Sequence, residues 1–253
     1  MIQRHSIILW RQAEREDKSF EEISKEAYEV LDLFQCYPQE LRPNYLTVKT
    51  KKDIKEFDWN YKNFSEQLKK GINKEGEVIF KELGYSISFF SSMDEKNSCV
   101  FSMTAGNKFE KINNALIVDL PLSFNLYDKK MADIISDLFE KLVQAYKPFW
   151  GCISNRVLSR KYGKFLEGNL PTTVHWMNYW SEDIIRTIGM ETIQNVVDKN
   201  TTISFKSGIL SIKETALDVE KEDDIRYHGS LQKQLFLYGQ RKELYKEVIG
   251  WLG

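Results

Sequence analysis

Apolar positions recur at two different periods along this chain, and the two periods alternate. Phe20, Ile23, Ala27, Leu31 and Phe34 repeat at three- and four-residue spacing, which is one apolar stripe on a helix. Ser19 and Glu22 open that stripe as a capping box, in which the serine oxygen takes an orphan N–H and the glutamate reaches back. Pro38 ends any extension of the helix. Met131, Ile134, Ile135, Leu138, Leu142, Val143 and Tyr146 predict a second long helix, with Asp128 as its N-cap. Ser181 precedes a third stripe, Ile184, Ile185 and Ile188, which stops at Gly189. A fourth helix is expected over Asp223 to Tyr238, with Leu231 and Leu235 inward and Gly239 as its stop. Phe64, Leu68 and Ile72 suggest one more, weakened by Gly71 and Gly76.

The period of two appears elsewhere. Tyr85, Ile87 and Phe89 alternate with serines, and Cys99, Phe101 and Met103 alternate with Val100, Ser102 and Thr104. The polar stretch between them makes the pair a hairpin. Ile7 to Trp10 and Ala115 to Leu120 are mostly continuous apolar runs, expected as central strands covered on both faces. Trp150 to Val157, Thr173 to Trp180 and a hairpin over Thr202 to Ile212, turning at Lys206-Ser207-Gly208, complete the set. Strand pairs broken by single helices predict an α+β fold: an antiparallel or mixed sheet with helices packed mainly on one face. With few prolines and no low-complexity linker or clear repeat, residues 1–253 read as one domain.

Composition narrows the function. The chain has 253 residues, 42% of them hydrophobic, and 36 Lys and Arg against 37 Asp and Glu. A near-neutral chain lacks the positive field expected of a bulk nucleic-acid or anionic-membrane binder. No apolar run reaches the roughly 18 residues of a spanning helix, and Ile7 to Trp10 is too short for a signal-peptide core. Three separated cysteines, Cys36, Cys99 and Cys152, read as buried reduced thiols, hence a cytoplasmic protein.

Candidate chemistry is sparse. The three histidines, His5, His175 and His228, offer no ligand pattern beyond Asp224 four residues before His228. No GxSxG elbow, P-loop or GxGxxG occurs. One catalytic reading remains as an alternative: Asp119 at a strand end, with Asp128-Lys129-Lys130 following, could hold Mg²⁺ and activate water as a metal-dependent hydrolase does. The competing reading has Asp128 capping its own helix and Asp119 ending a strand before Pro121, and it is the stronger because a cap points into its own helix. No enzyme, metal or cofactor is therefore expected. The aromatic run His175 to Trp180 reads first as core, ahead of a base-stacking platform, since interleaved Arg and Lys are missing.

Charge is unevenly spread. Glu214, Asp218, Glu220, Glu222, Asp223 and Asp224 face Lys221 alone within eleven residues. A second acidic segment holds Glu14, Glu16, Asp17, Glu21 and Glu22 against Arg15 and Lys18. Acidic helix starts and solvated loops account for such runs most simply. The sharper reading is a docking surface for a basic protein, formed by Asp218, Glu220, Glu222, Asp223 and Asp224, with Glu14, Glu16 and Asp17 second.

Several segments taken in order resemble a known family. They are Glu82-Leu83-Gly84-Tyr85-Ser86-Ile87-Ser88-Phe89-Phe90; Val118-Asp119-Leu120-Pro121; Pro148-Phe149-Trp150-Gly151; Val174 through Ser181; and Gly208-Ile209-Leu210-Ser211-Ile212 followed by Leu217-Asp218-Val219. Their order and spacing are similar to the immunity protein 52 family of bacterial polymorphic-toxin systems, from about Ile7 to Leu237. The chain departs from that pattern at His175, where a small residue is expected, and in its tail, 239–253. The resemblance implies a cytoplasmic antitoxin whose partner is a cognate toxin, often a nuclease. A nuclease site is cationic because it holds phosphates, so acidic loops suit that role.

Overall fold

The protein was examined as a computed structural model that describes residues 4–48, 53–94, 96–158, 166–167, 170–200 and 202–235. Gly239 and the 239–253 tail lie outside the described residues, as do the last positions of the fourth expected helix.

In chain order the N-terminal half carries β1 (His5–Arg11), α1 (Phe20–Asp32), β2 (Tyr45–Leu46), α2 (Tyr61–Lys70), β3 (Lys74–Glu75), β4 (Val78–Ile79), β5 (Tyr85–Phe90), β6 (Val100–Ala105) and β7 (Asn114–Asp119). The remainder is α3 (Lys129–Tyr146), β8 (Trp150–Asn155), β9 (Leu166–Glu167), β10 (Leu170–Pro171), β11 (Met177–Trp180), α4 (Glu182–Ile188), α5 (Met190–Lys199), β12 (Ser204–Lys206), β13 (Ile209–Ser211) and α6 (Glu222–Gln234). Nine strands form one sheet in the order β12-β13-β11-β8-β1-β7-β6-β5-β2. Every pairing is antiparallel. The fold is α+β.

Register explains the core. Ile7 faces Val118 and Leu9 faces Leu116; Phe101 and Met103 lie opposite the same pair; Phe89 and Ile87 continue the rows. Because side chains alternate along a strand, these all emerge on one face. The helices cover that face. Phe34, just past α1, meets Phe101 edge-on at 5.0 Å, and Phe64 of α2 stacks on Phe89 at 6.3 Å. Phe139 of α3 approaches Gly151, where a Cβ would come within 2.5 Å of Leu9 Cδ2. The glycine lets β8 and β1 sit under the helix. The far face carries the other register: Trp10 and Trp150 pair, with rings 5.1 Å apart, and Trp150 and Trp180 are fully buried.

The main expectations hold. The capping box on α1 is present in both directions, and Asp128 accepts the Met131 N–H at the start of α3. The β12–β13 turn places Ser207 and Gly208 at positive φ, 53° and 78°, the backbone of a type I′ hairpin. The aromatic run is core: His175, Trp176, Met177 and Trp180 are buried.

Other expectations are corrected. Ile72 is not helical; α2 ends at Gly71, and Ile72 bridges to Tyr85 instead. β7 is not covered on both faces, since Ile117 is 36% exposed on the side away from the helices. His175 precedes β11 rather than sitting within a strand, and His228 is fully buried on α6. Cys36 is exposed, while Cys99 and Cys152 are buried. Helix α5 was not anticipated: its Ile193 and Val196 are buried, but the short run Ile184 to Ile188 draws attention away from a second helix starting directly after Gly189.

Candidate partner-binding surface

Residues 213–226 make the turn that launches α6, and its acids do two different jobs. Asp224 is 9% exposed. Its Oδ1 accepts Lys213 Nζ at 2.6 Å and its Oδ2 accepts the Asp218 N–H at 2.8 Å. Asp218 in turn accepts the Glu220 N–H at 3.0 Å and lies 3.6 Å from Lys221 Nζ. These two carboxylates build the turn. Glu214, Glu220, Glu222 and Asp223 are exposed. Glu222 and Asp223 reach only Arg226, at 3.9 and 2.8 Å, in exposed pairs that neutralise little. Three acids at the first turn of α6 also match the positive end of the helix.

Tyr127 reports the field at this corner. Its hydroxyl pKa is pushed up to about 12, first by burial and then by Asp218, Glu220 and Asp224.

The second acidic segment is largely consumed by the fold. The Glu14 carboxylate takes Arg11 at 2.7 Å and Lys18 at 3.2 Å, and Lys18 also donates to Glu26 at 2.7 Å. Burial works against the Lys18 ammonium, yet Glu26 and Glu14 hold its pKa above the usual lysine value. Asp17 pairs with Lys108, and that hydrogen bond lowers its pKa. Glu16 is exposed. Of the acids expected to dock a partner, Glu220, Glu222, Asp223, Glu16 and Asp17 are exposed, as is Glu214, while Asp218, Asp224 and Glu14 are more enclosed.

Asp119 and Asp128, the alternative hydrolase pair, each have a partner within the fold. Asp119 accepts the Ser6 hydroxyl and lies 3.7 Å from Arg156 Nη2. Asp128 is spent on the α3 N-cap. Among the described residues no three His, Cys, Asp or Glu side chains stand together as metal ligands would. His228 Nε2 lies 2.7 Å from the Val174 carbonyl oxygen. Burial, and then His228, lower the His175 pKa to about 3, so it stays neutral at physiological pH. No helix of the described residues is long and apolar enough to cross a membrane.

No protein-family model matches the chain, and no curated protein matches it. Among solved structures it is similar to the Pseudomonas aeruginosa T6SS protein PA0821, a type VI secretion protein, at 10% identity and a TM-score of 0.62, over 92% of this chain and 73% of that one. At that identity the likeness is one of fold.

Proposed function

We propose that this chain is an immunity-type binding protein that holds and neutralises a cognate bacterial toxin, with a basic nuclease effector as the best-fitting partner. The observation that carries the reading is the exposed acidic corner at the start of α6, where Glu214, Glu220, Glu222 and Asp223 face solvent while Asp218 and Asp224 fix the turn beneath them. A hydrogen-bonded turn beneath exposed charge suits a surface that attracts a partner. The fold shared with a type VI secretion protein and the sequence resemblance to immunity protein 52 agree with it. The protein needs no catalysis for this role; it acts by occupying the toxin in the cytoplasm, and an interface of roughly 800 Å² per partner would suffice.

The test uses a toxin captured from the native host with this protein as bait, and the combined variant Glu214→Gln, Glu220→Gln, Glu222→Gln and Asp223→Asn. Charge steers encounter, so the association rate at low salt should fall about tenfold and its salt dependence should flatten, with dissociation little changed. An unchanged association rate at low salt would remove the corner from the interface. Circular dichroism must first show α6 intact, because Glu222 and Asp223 also stabilise its first turn.

A further inference from the structure

We propose that β12, an open edge of the large sheet, takes an extended segment of the partner as an added strand, and that this segment carries Lys or Arg where it passes the Thr202 end of β12. The proposal deepens the reading of the chain as a binding protein for a basic partner and rests on it.

The hairpin leaves one backbone pair facing outward. Lys206 and Ile209 flank the two-residue turn, so they exchange hydrogen bonds across the hairpin. Bonded and non-bonded pairs alternate along an antiparallel ladder, which makes Phe205 and Leu210 a non-bonded pair. The Phe205 N–H and carbonyl therefore point away from β13, to the outer side of β12. β12 ends the strand order, and no strand of the described residues lies on that outer side. The opposite end of the sheet is already engaged: Glu56 bridges to Tyr45 on β2, and the Phe57 N–H donates to the Asn44 carbonyl at 2.7 Å. The Phe205 side chain packs against the core while Ser204 and Lys206 are exposed. The outward donor and acceptor thus belong to an anchored residue on an accessible edge.

The acidic corner stands at one end of this edge. The Thr202 and Tyr227 hydroxyls are 2.8 Å apart, and the Tyr227 hydroxyl donates to the Ile212 carbonyl at 3.1 Å. Asp223 lies four residues before Tyr227, on the same side of α6. A segment laid along β12 therefore leaves the Thr202 end beside exposed carboxylates, which favours Lys or Arg there whichever way the strand runs. At the other end Lys206 is exposed and disfavours a further base. Three residues make a short edge, so the ladder aligns the segment while the charge draws it in. A second copy fits less well, because two such edges exchange only the Phe205 pair and bury far less than a stable dimer does. A nucleic acid has no strand to add, and its phosphates meet the same carboxylates.

The test titrates the ¹⁵N-labelled full-length protein with end-blocked peptides in both senses, Lys-Lys-Thr-Val-Thr-Val-Thr and Thr-Val-Thr-Val-Thr-Lys-Lys, and with each peptide N-methylated at every Thr and Val. The expected result is saturable amide shifts at Ser204, Phe205 and Lys206 with at least one unmethylated peptide. Methylation blocks the ladder and keeps the charge, so the methylated form should bind about tenfold more weakly. Phe205→Pro removes an outward N–H that the β12–β13 ladder does not use, and should also weaken binding about tenfold. Phe205→Leu keeps that N–H and should bind as the native protein does. Should Phe205→Pro misfold by circular dichroism, the methylated peptides still decide. Peptides with Gln in place of both lysines should bind more weakly, most clearly at low salt. No saturable shift, shifts elsewhere, or equal binding of the methylated or the Gln peptides overturns the proposal. So do the same shifts from an oligothymidine, which make the edge a nucleic-acid site, or self-association abolished by Phe205→Pro, which makes the occupant a second copy. None of these readouts involves the toxin: failure of the ladder here leaves the toxin association test standing, and failure of that test leaves the methylated-peptide comparison to be read by itself.

Discussion

Lys213 and Asp224 form an ion pair at 2.6 Å across the base of the turn that starts α6. The second Asp224 oxygen holds the Asp218 N–H at 2.8 Å, so one carboxylate joins the exit of β13 to the loop that leads into the helix. Removing it leaves a part-buried ammonium and a backbone donor without their acceptor. Asp224→Ala should therefore lower stability by about 1–3 kcal/mol in urea unfolding. Glu222→Gln, two residues earlier and exposed, should lower stability by only a few tenths of a kcal/mol through the helix terminus. Equal midpoints for the two variants would show that the pair is incidental to the turn.

Ser19 and Ser181 carry the same sequence signal and behave differently. Each is an N-cap in extended backbone. The Ser19 hydroxyl accepts the Glu22 N–H and the Ser19 N–H donates to the Glu22 carboxylate, whereas Ser181 makes no side-chain cap bond. Ser19→Ala should cost about 1 kcal/mol and Ser181→Ala a few tenths at most. Thermal melts of the two variants side by side decide it; a larger loss at Ser181 would contradict the geometry.

Legibility followed the reach of the forces involved. Helices α1 and α3, the β5–β6 hairpin and the β12–β13 turn rest on local periodicity and capping, which a sequence displays directly. The exposure of Ile117 depends on which strands receive a covering helix, and nothing near position 117 encodes that. The acidic corner was legible as composition, but the inward turn of Asp224 was not, because its partner Lys213 lies eleven residues away and counts in a charge tally as one more cation.

Leu138 sits mid-helix in α3 and is fully buried over the sheet. Leu138→Ala should cost about 2–5 kcal/mol, the transfer term plus the cavity left beneath rigid neighbours. Ile134, on the same helix, is only half-buried and packed at the margin of the core. Ile134→Ala should cost clearly less. Urea unfolding with an unchanged slope is the measurement, and similar losses at both positions would mean that the stripe is buried more evenly than the structure shows.

His175 gives the fold a calculable response to acid. Its ring is fully buried, edge-on to Trp150 with centroids 6.2 Å apart, and its backbone N–H is held by Asn178 Oδ1 at 2.8 Å. Burial first, and then the neighbouring His228, lower its pKa from 6.5 to about 3. The unfolded chain takes up this proton near pH 6.5, whereas the folded chain resists it until about pH 3. Between those values the unfolded state binds more protons, so stability falls as pH falls, by up to about 1.4 kcal/mol per pH unit for one proton. Above pH 6.5 the ring is neutral in both states and contributes no slope. The measurement is urea unfolding at several points from pH 7.5 to 5, a range that stays above most carboxylate titrations. His175→Phe keeps a ring in the site and removes the titration. Its pH slope below 6.5 should be flatter by about one proton. Parallel slopes for the two proteins would mean that the acid response of this fold arises elsewhere.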